Sequence, residues 1–205
     1  MRVTVIDYKA GNLTSVLKAL RHLGAEPEVT DSDLSLVQSA ERIVLPGVGH
    51  FAATERLDAT GLTSAVRAAI ARGVPFLGIC VGMQWLYAGS SESPEQPGLG
   101  HFQEQCTRFS ESTEKVPHVG WNSLEVRKDS RLLAGVELGE YVYFTHSYKG
   151  PVTTDTAATT FYIEPFAAAV ERGNVMGVQF HPEKSGETGL KILRNFLSRE
   201  AKGTQ

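Results

Sequence analysis

The chain has 205 residues, 41% hydrophobic and 21% charged, enough to bury a full core as one domain over residues 1–205. Its net charge of −3, from 20 basic and 23 acidic residues, comes with no basic block, which argues against nucleic-acid and membrane-surface partners. No apolar run approaches the ~20 residues that span a bilayer, and the start turns polar too soon for a signal peptide; with only Cys80 and Cys106, the expectation is a cytoplasmic chain with free thiols.

Arg2 to Asp7 reads as a buried strand, since Val3, Val5 and Ile6 favour extended backbone. Asn12 is a candidate N-cap for a helix that turns Leu13, Val16, Leu17, Leu20 and Leu23 inward and closes at Gly24. Arg42 to Leu45 is a second strand, stopped by Pro46-Gly47. Thr54 to Arg72 has helical spacing through Leu57, Leu62, Val66 and Ile70, and ends at Gly73. Val74 to Ile79 is a third strand, followed by a helix from Val81 to about Ala88. This alternation predicts an α/β fold, a mainly parallel open sheet flanked by helices.

The pattern then changes. Gly89 to Gly100 is rich in serine, proline and glycine and reads as an exposed loop. From Cys106 onward short strands dominate: Asn122–Val126, Tyr141–His146, Ala157–Tyr162, Ala167–Glu171 and Val175–Phe180. Their hairpin spacing, with Arg172-Gly173-Asn174 as a tight turn, predicts antiparallel strands added to the sheet in the C-terminal half. Glu187 to Arg199 is a final helix carrying Leu190, Ile192, Leu193, Phe196 and Leu197.

Chemistry concentrates at two strand ends. Gly78-Ile79-Cys80-Val81-Gly82 has the layout of a nucleophile elbow between strand and helix. A helix start favours the thiolate, and a side chain at Gly78 or Gly82 would crowd the turn. The competing reading of Cys80 is a structural thiol between packing glycines. Downstream, Gln179-Phe180-His181-Pro182-Glu183 ends another apolar run. Pro182 biases His181 toward extended backbone, so that Glu183 can reach one ring nitrogen of His181 and leave the other for Cys80. Taken alone, His-Pro-Glu could equally be a solvated loop. Acyl chemistry also needs oxyanion donors. The Val81 N–H is one candidate, and Pro46-Gly47-Val48-Gly49 offers a second at Val48, unless it is a plain turn. His22, His50, His101 and His118 lack metal-ligand spacing, so no metal is expected. Cys106 lacks any such context and is expected to pack in a core.

These motifs resemble class I (triad-type) glutamine amidotransferases. Gly78-Ile79-Cys80-Val81-Gly82-Met83-Gln84 and Gln179-Phe180-His181-Pro182-Glu183 match its two signatures. The similarity also covers Asp7-Tyr8, Gly11-Asn12-Leu13, Pro46-Gly47-Val48-Gly49, Lys115 to Asn122, and Thr145-His146-Ser147-Tyr148. Within the family the chain resembles the branch that serves a (β/α)8 cyclase subunit in histidine biosynthesis. Anthranilate, aminodeoxychorismate and GMP synthesis are the alternatives; the anthranilate and GMP synthase relatives usually carry histidine at the position of Met83. The resemblance implies L-glutamine as substrate, no cofactor, and a heterodimer that channels ammonia. It implies Cys80, His181 and Glu183 as catalytic residues, and Gly49, Gln84, Ser147 and Tyr148 as substrate-binding residues. It implies a docking surface including Asn12, Pro117, His118, Trp121 and Asn122, although Trp121 could also be a core residue. Lys9 stands where this family usually has glycine.

Overall fold

The structure, a computed structural model, describes residues 1–9, 13–110, 114–127 and 129–198. The first half runs β1 (Arg2–Ile6), α1 (Leu13–His22), β2 (Glu26–Thr30), α2 (Leu34–Gln38) and β3 (Ile43–Gly47), then a 3-10 turn at Phe51–Thr54, α3 (Glu55–Ala59), α4 (Leu62–Ala71), β4 (Phe76–Cys80) and α5 (Val81–Gln84). The second half runs β5 (Gly89–Ser90), β6 (Gln105–Arg108), β7 (His118–Ser123), β8 (Glu125–Val126), β9 (Tyr141–His146), β10 (Tyr148–Lys149), β11 (Thr156–Tyr162), β12 (Glu164–Arg172), β13 (Val175–Val178), a 3-10 turn at Pro182–Lys184, and α6 (Gly186–Leu197).

Eight strands form the main sheet, in the order β2-β1-β3-β4-β13-β12-β11-β8. Neighbours from β2 to β13 pair in parallel, and β12, β11 and β8 extend the sheet antiparallel. The expected architecture is therefore present. Strands β3, β4 and β13 are buried at every described position, as the apolar runs in the sequence require of strands covered on both faces. Gly173 at φ +60 turns the β12–β13 hairpin, with Arg172 opposite Val175.

Several boundaries differ from the sequence reading, each for a local reason. Strand β2 went unforeseen because Glu26-Pro27-Glu28-Val29-Thr30 is largely exposed; it is an edge strand held by backbone pairing to β1, where proline is tolerated. The long helix expected over 54–72 is broken at Gly61, whose φ of +78 ends one helical segment and admits the next. Helix α5 has only four residues. The strand expected over 122–126 is two strands: β7 pairs with β9 in a separate two-stranded sheet, and β8 joins the main sheet after the buried Leu124. The N-cap expected at Asn12 lies outside the described residues. Among the described residues no helix is long and apolar enough to cross a membrane.

Candidate active site

Strand register assembles the site. Gly47, the end of β3, lies opposite Cys80, the end of β4; on the other side Val178, the end of β13, lies opposite Ile79. The chain leaving β3 therefore passes one flank of Cys80 as Val48-Gly49, and the chain leaving β13 passes the other as Gln179-Phe180-His181. The sheet reverses strand order between β1 and β3, yet the site forms around the end of β4. It still follows the rule that open α/β sheets build sites outside the carboxyl ends of their strands.

The elbow is a steric construction. Cys80 adopts φ 55 and ψ −109, a conformation costly for a residue with a side chain. A Cβ on Gly82 would lie 1.9 Å from the Leu45 carbonyl oxygen, and one on Gly78 would lie 2.4 Å from the Gly82 carbonyl oxygen. Both contacts are with backbone, of β3 for Gly82 and of α5 for Gly78, so neither position can hold a side chain without displacing main chain. Because α5 is a single turn, dipole stabilisation of a thiolate here reduces to its first N–H groups.

His181 is 1% exposed, and its Nδ1 lies 2.9 Å from Glu183 Oε1. That contact fixes the proton on Nδ1 in the neutral ring. Nε2 makes no hydrogen bond of ordinary geometry, as is common for catalytic pairs without substrate. Burial pushes the imidazole toward its neutral form, but the neighbouring Cys80 sulfur and the Glu183 carboxylate prevail and raise its pKa to about 10. On the β3 flank the buried Tyr8 hydroxyl presses on Gly47, where a Cβ would come within 1.8 Å of it. Its ionisation is pushed far up, first by burial and then by the charge of Cys80, so it remains a neutral hydroxyl.

A cavity of about 270 Å³ opens beside the sulfur, lined by Val48, Gly49, Cys80, Val81, Gln84, Glu92, Pro117, Thr145, His146, Ser147 and Tyr148. Both expected oxyanion residues and all four expected substrate-binding residues thus share one pocket with the nucleophile candidate. Gln84 Nε2 donates to the Tyr148 carbonyl at 2.9 Å and to Gln179 Oε1 at 3.1 Å. With both amide hydrogens committed, the oxygen of Gln84 is the atom it offers a ligand. Glu92 was not anticipated, because its loop reads as solvent-exposed. Pairing of β5 with β6 folds that loop against the pocket, where Glu92 Oε2 accepts the Phe51 N–H at 2.8 Å. No local sequence signal marks such a long-range wall.

The expected docking residues divide by face. Along β7, Val119 and Trp121 point outward, 58% and 55% exposed, beside the exposed Tyr141 of β9. The core reading of Trp121 is thus overturned. His118 points the other way, and its expected place on the docking surface is corrected: it is buried, stacked between Phe144 (4.9 Å) and Tyr162 (4.0 Å). Strand alternation is the cause, since residues one apart face opposite sides. Asn122 is half-buried and hydrogen-bonds the Phe161 carbonyl, and Pro117 lines the pocket. Cys106 is fully buried, and burial raises its thiol well beyond its usual value. Among the described residues no group of three His, Cys, Asp or Glu is placed to hold a metal ion.

Comparison with known proteins fits this geometry. The family described as "Glutamine amidotransferase class-I" matches residues 4–199, and the chain belongs to that family. It is 45% identical over 197 residues to "Imidazole glycerol phosphate synthase subunit HisH" of Caldanaerobacter subterraneus subsp. tengcongensis, covering 95% of this chain and 96% of that protein. It is 43% identical over 209 residues to "Imidazole glycerol phosphate synthase hisHF, chloroplastic" of Arabidopsis thaliana, covering 99% of this chain and 35% of that protein. A solved structure described as "Crystal structure of glutamine amidotransferase" superposes with a TM-score of 0.75 at 21% identity, over 95% of this chain and 96% of that one, which speaks for the fold. Within its family the chain stands with the HisH subunits of imidazole glycerol phosphate synthase.

Proposed function

We propose that the chain is the glutaminase subunit of an imidazole glycerol phosphate synthase, hydrolysing L-glutamine to glutamate and ammonia for a partner cyclase. The observation that carries this reading is the single pocket in which Cys80, beside the His181–Glu183 pair, meets Val48, Gly49, Val81 and Gln84. In this reading the Cys80 sulfur attacks the side-chain amide carbon of glutamine, and the N–H groups of Val81 and Val48 receive the oxyanion. The C–N bond breaks as His181, already carrying its extra proton, gives that proton to the departing ammonia. Water then attacks the thioester carbon and passes a proton to His181, which releases glutamate and restores the sulfur. Glu183 holds the ring in place. Gly49, Ser147 and Tyr148 frame the substrate, and the Glu92 carboxylate is the group in the pocket suited to an amino acid's ammonium.

The partner is a (β/α)8 cyclase subunit in this proposal. The outward face of β7 and β9, with Val119, Trp121 and Tyr141, is its docking surface; Thr145, paired with Val119 on that face, also lines the pocket. Aromatic anchors of this kind dominate interface energetics. The Arabidopsis relative, whose name joins HisH and HisF in one chain, supports a physical association of the two activities. A direct passage for ammonia suits the chemistry, because ammonia released to neutral water becomes ammonium, which is not nucleophilic. The proposed location is the cytoplasm, and residues 1–205 act as one glutaminase domain.

The test is a coupled assay with the purified cyclase and its ribotide ligand. Glutamine hydrolysis should rise on adding both; no rise would reject the assignment. In the complex, Cys80→Ala should abolish glutamine-dependent synthesis, by about 10⁴-fold or more, and leave synthesis from ammonium salt intact. Equal loss of both would contradict the division of labour.

A further inference from the structure

We infer that an unbroken hydrogen-bond chain ties the Cys80 sulfur to the docking strand β7, and that Gln179, His146 and His118 are its positioning residues. Gln179, wholly buried, donates from Nε2 to Cys80 Sγ at 3.6 Å, an ordinary N–H to sulfur distance. Its Oε1 accepts from Gln84 Nε2 at 3.1 Å, and Gln84 also donates to the Tyr148 carbonyl at 2.9 Å. His146 Nδ1 reaches the same carbonyl at 2.8 Å, and its Nε2 lies 3.1 Å from His118 Nδ1. His118 Nε2 in turn lies 3.4 Å from Asn122 Nδ2, on β7 next to the exposed Trp121.

One atom sets the polarity of the whole chain. The Tyr148 carbonyl can only accept. Gln84 must therefore present its nitrogen there, which obliges Gln179 to accept on its oxygen and to turn its N–H groups toward the sulfur. On the other side His146 must carry its proton on Nδ1 and accept on Nε2. His118 then donates from Nδ1 and accepts from Asn122. Every link is satisfied in one direction only, and only while both imidazoles are neutral. Their surroundings enforce neutrality: burial among aromatic rings lowers His118 to about 4 and His146 to about 3. A displaced outer strand would therefore move the donor that faces the nucleophile, without any ligand touching the pocket.

This inference rests on Cys80 being the nucleophile, but its test needs no glutamine. Iodoacetamide alkylation of Cys80 in the full chain at pH 6.5 is followed by mass spectrometry, with the fully buried Cys106 as internal control. Gln179→Met, isosteric but unable to donate, should slow alkylation about tenfold. His118→Phe should slow it about threefold, and His118→Asn, whose amide keeps the donor near the Nδ1 position, should restore it to within twofold of wild type. Unfolding midpoints identify any variant that fails to fold. Asn122→Ala, at a half-exposed position, then replaces it and should slow alkylation about threefold; a wild-type rate in this variant would overturn the chain. Wild-type rates in folded Gln179→Met, or identical rates in the two His118 variants, would overturn the chain. Absence of glutamine hydrolysis in the wild-type complex would instead sink the functional reading and leave the alkylation result standing.

Discussion

Cys80 sits between two walls built by different physics. The wall formed by β3, β4 and α5 is made of backbone: Gly78 and Gly82 press on main-chain atoms, and flush strand ends place Val48 and Val81 beside the sulfur. The opposite wall, from β7, β9 and β10, is made of side chains: stacked rings and two neutral imidazoles, linked to the sulfur through the amides of Gln84 and Gln179. The first wall cannot move without breaking the sheet. The second is held by directional hydrogen bonds and backs onto the exposed face that we assign to the partner. In the proposed partner-dependent glutaminase, such asymmetry supplies a fixed nucleophile and an adjustable wall.

The comparison predicts the largest change where the two walls meet in chemistry. Glu183→Gln preserves the shape of the carboxylate but removes the charge that helps raise His181. Glutamine hydrolysis in the complex should fall about 10³-fold in kcat, or about 4 kcal/mol, with KM changed little. A drop confined to KM would mean that Glu183 shapes the pocket rather than the base. On the backbone wall, Gly82→Ala must force Leu45 away from a contact of 1.9 Å. Overpacking against main chain should cost about 3 kcal/mol in denaturant unfolding. A variant as stable as wild type would show the elbow to be more yielding than its geometry implies.

The two walls also differed in how far the sequence disclosed them. Glycines flanking a cysteine report on local backbone crowding, so the elbow, the strands on either side and the His181–Glu183 pair were legible within short windows. Val48 followed from a short window too, whereas Gly49, Gln84, Ser147 and Tyr148 came only through the family resemblance. The side-chain wall depends on contacts between distant segments. His118 stood in a motif that said nothing of its face, because the bounds of β7 decide the alternation and its true pairing is with β9 rather than the main sheet. Glu92 and the role of Gln179 were invisible for the same reason, since the partners of both side chains lie far away in sequence. Edge strand β2 was missed because backbone pairing, not apolar content, holds it.

Acid and alkali should probe the walls separately. His118 and His146 are lowered from 6.5, so the stability they contribute as a neutral pair is complete above pH 6.5 and is lost as pH falls through about 4 and 3. His181 is raised, so its contribution is complete below pH 6.5 and is lost as pH rises through about 10. Thermal midpoints should therefore fall by several degrees on each side. His118→Phe should flatten the acid limb only, and His181→Gln the alkaline limb only. If either substitution flattened both limbs, the two walls would be one coupled unit.

The smallest effect is expected away from both walls, at Lys9. The family usually has glycine here, and the backbone explains why: φ is 66, a left-handed conformation that glycine enters freely. Lys9 is compensated by its N–H to Asp7 Oδ1 at 2.8 Å and by ammonium contacts to Asp7 at 3.2 Å and Asp31 at 3.1 Å. Those ion pairs are exposed and so weak. Lys9→Gly gives up the ion pairs and the strain together, and should shift the melting temperature by no more than about 2 °C. Lys9→Ala gives up the ion pairs but keeps the strain, and should melt below Lys9→Gly. The reverse order would mean that the freedom glycine adds to the unfolded chain, not the backbone angle, decides the outcome at this turn.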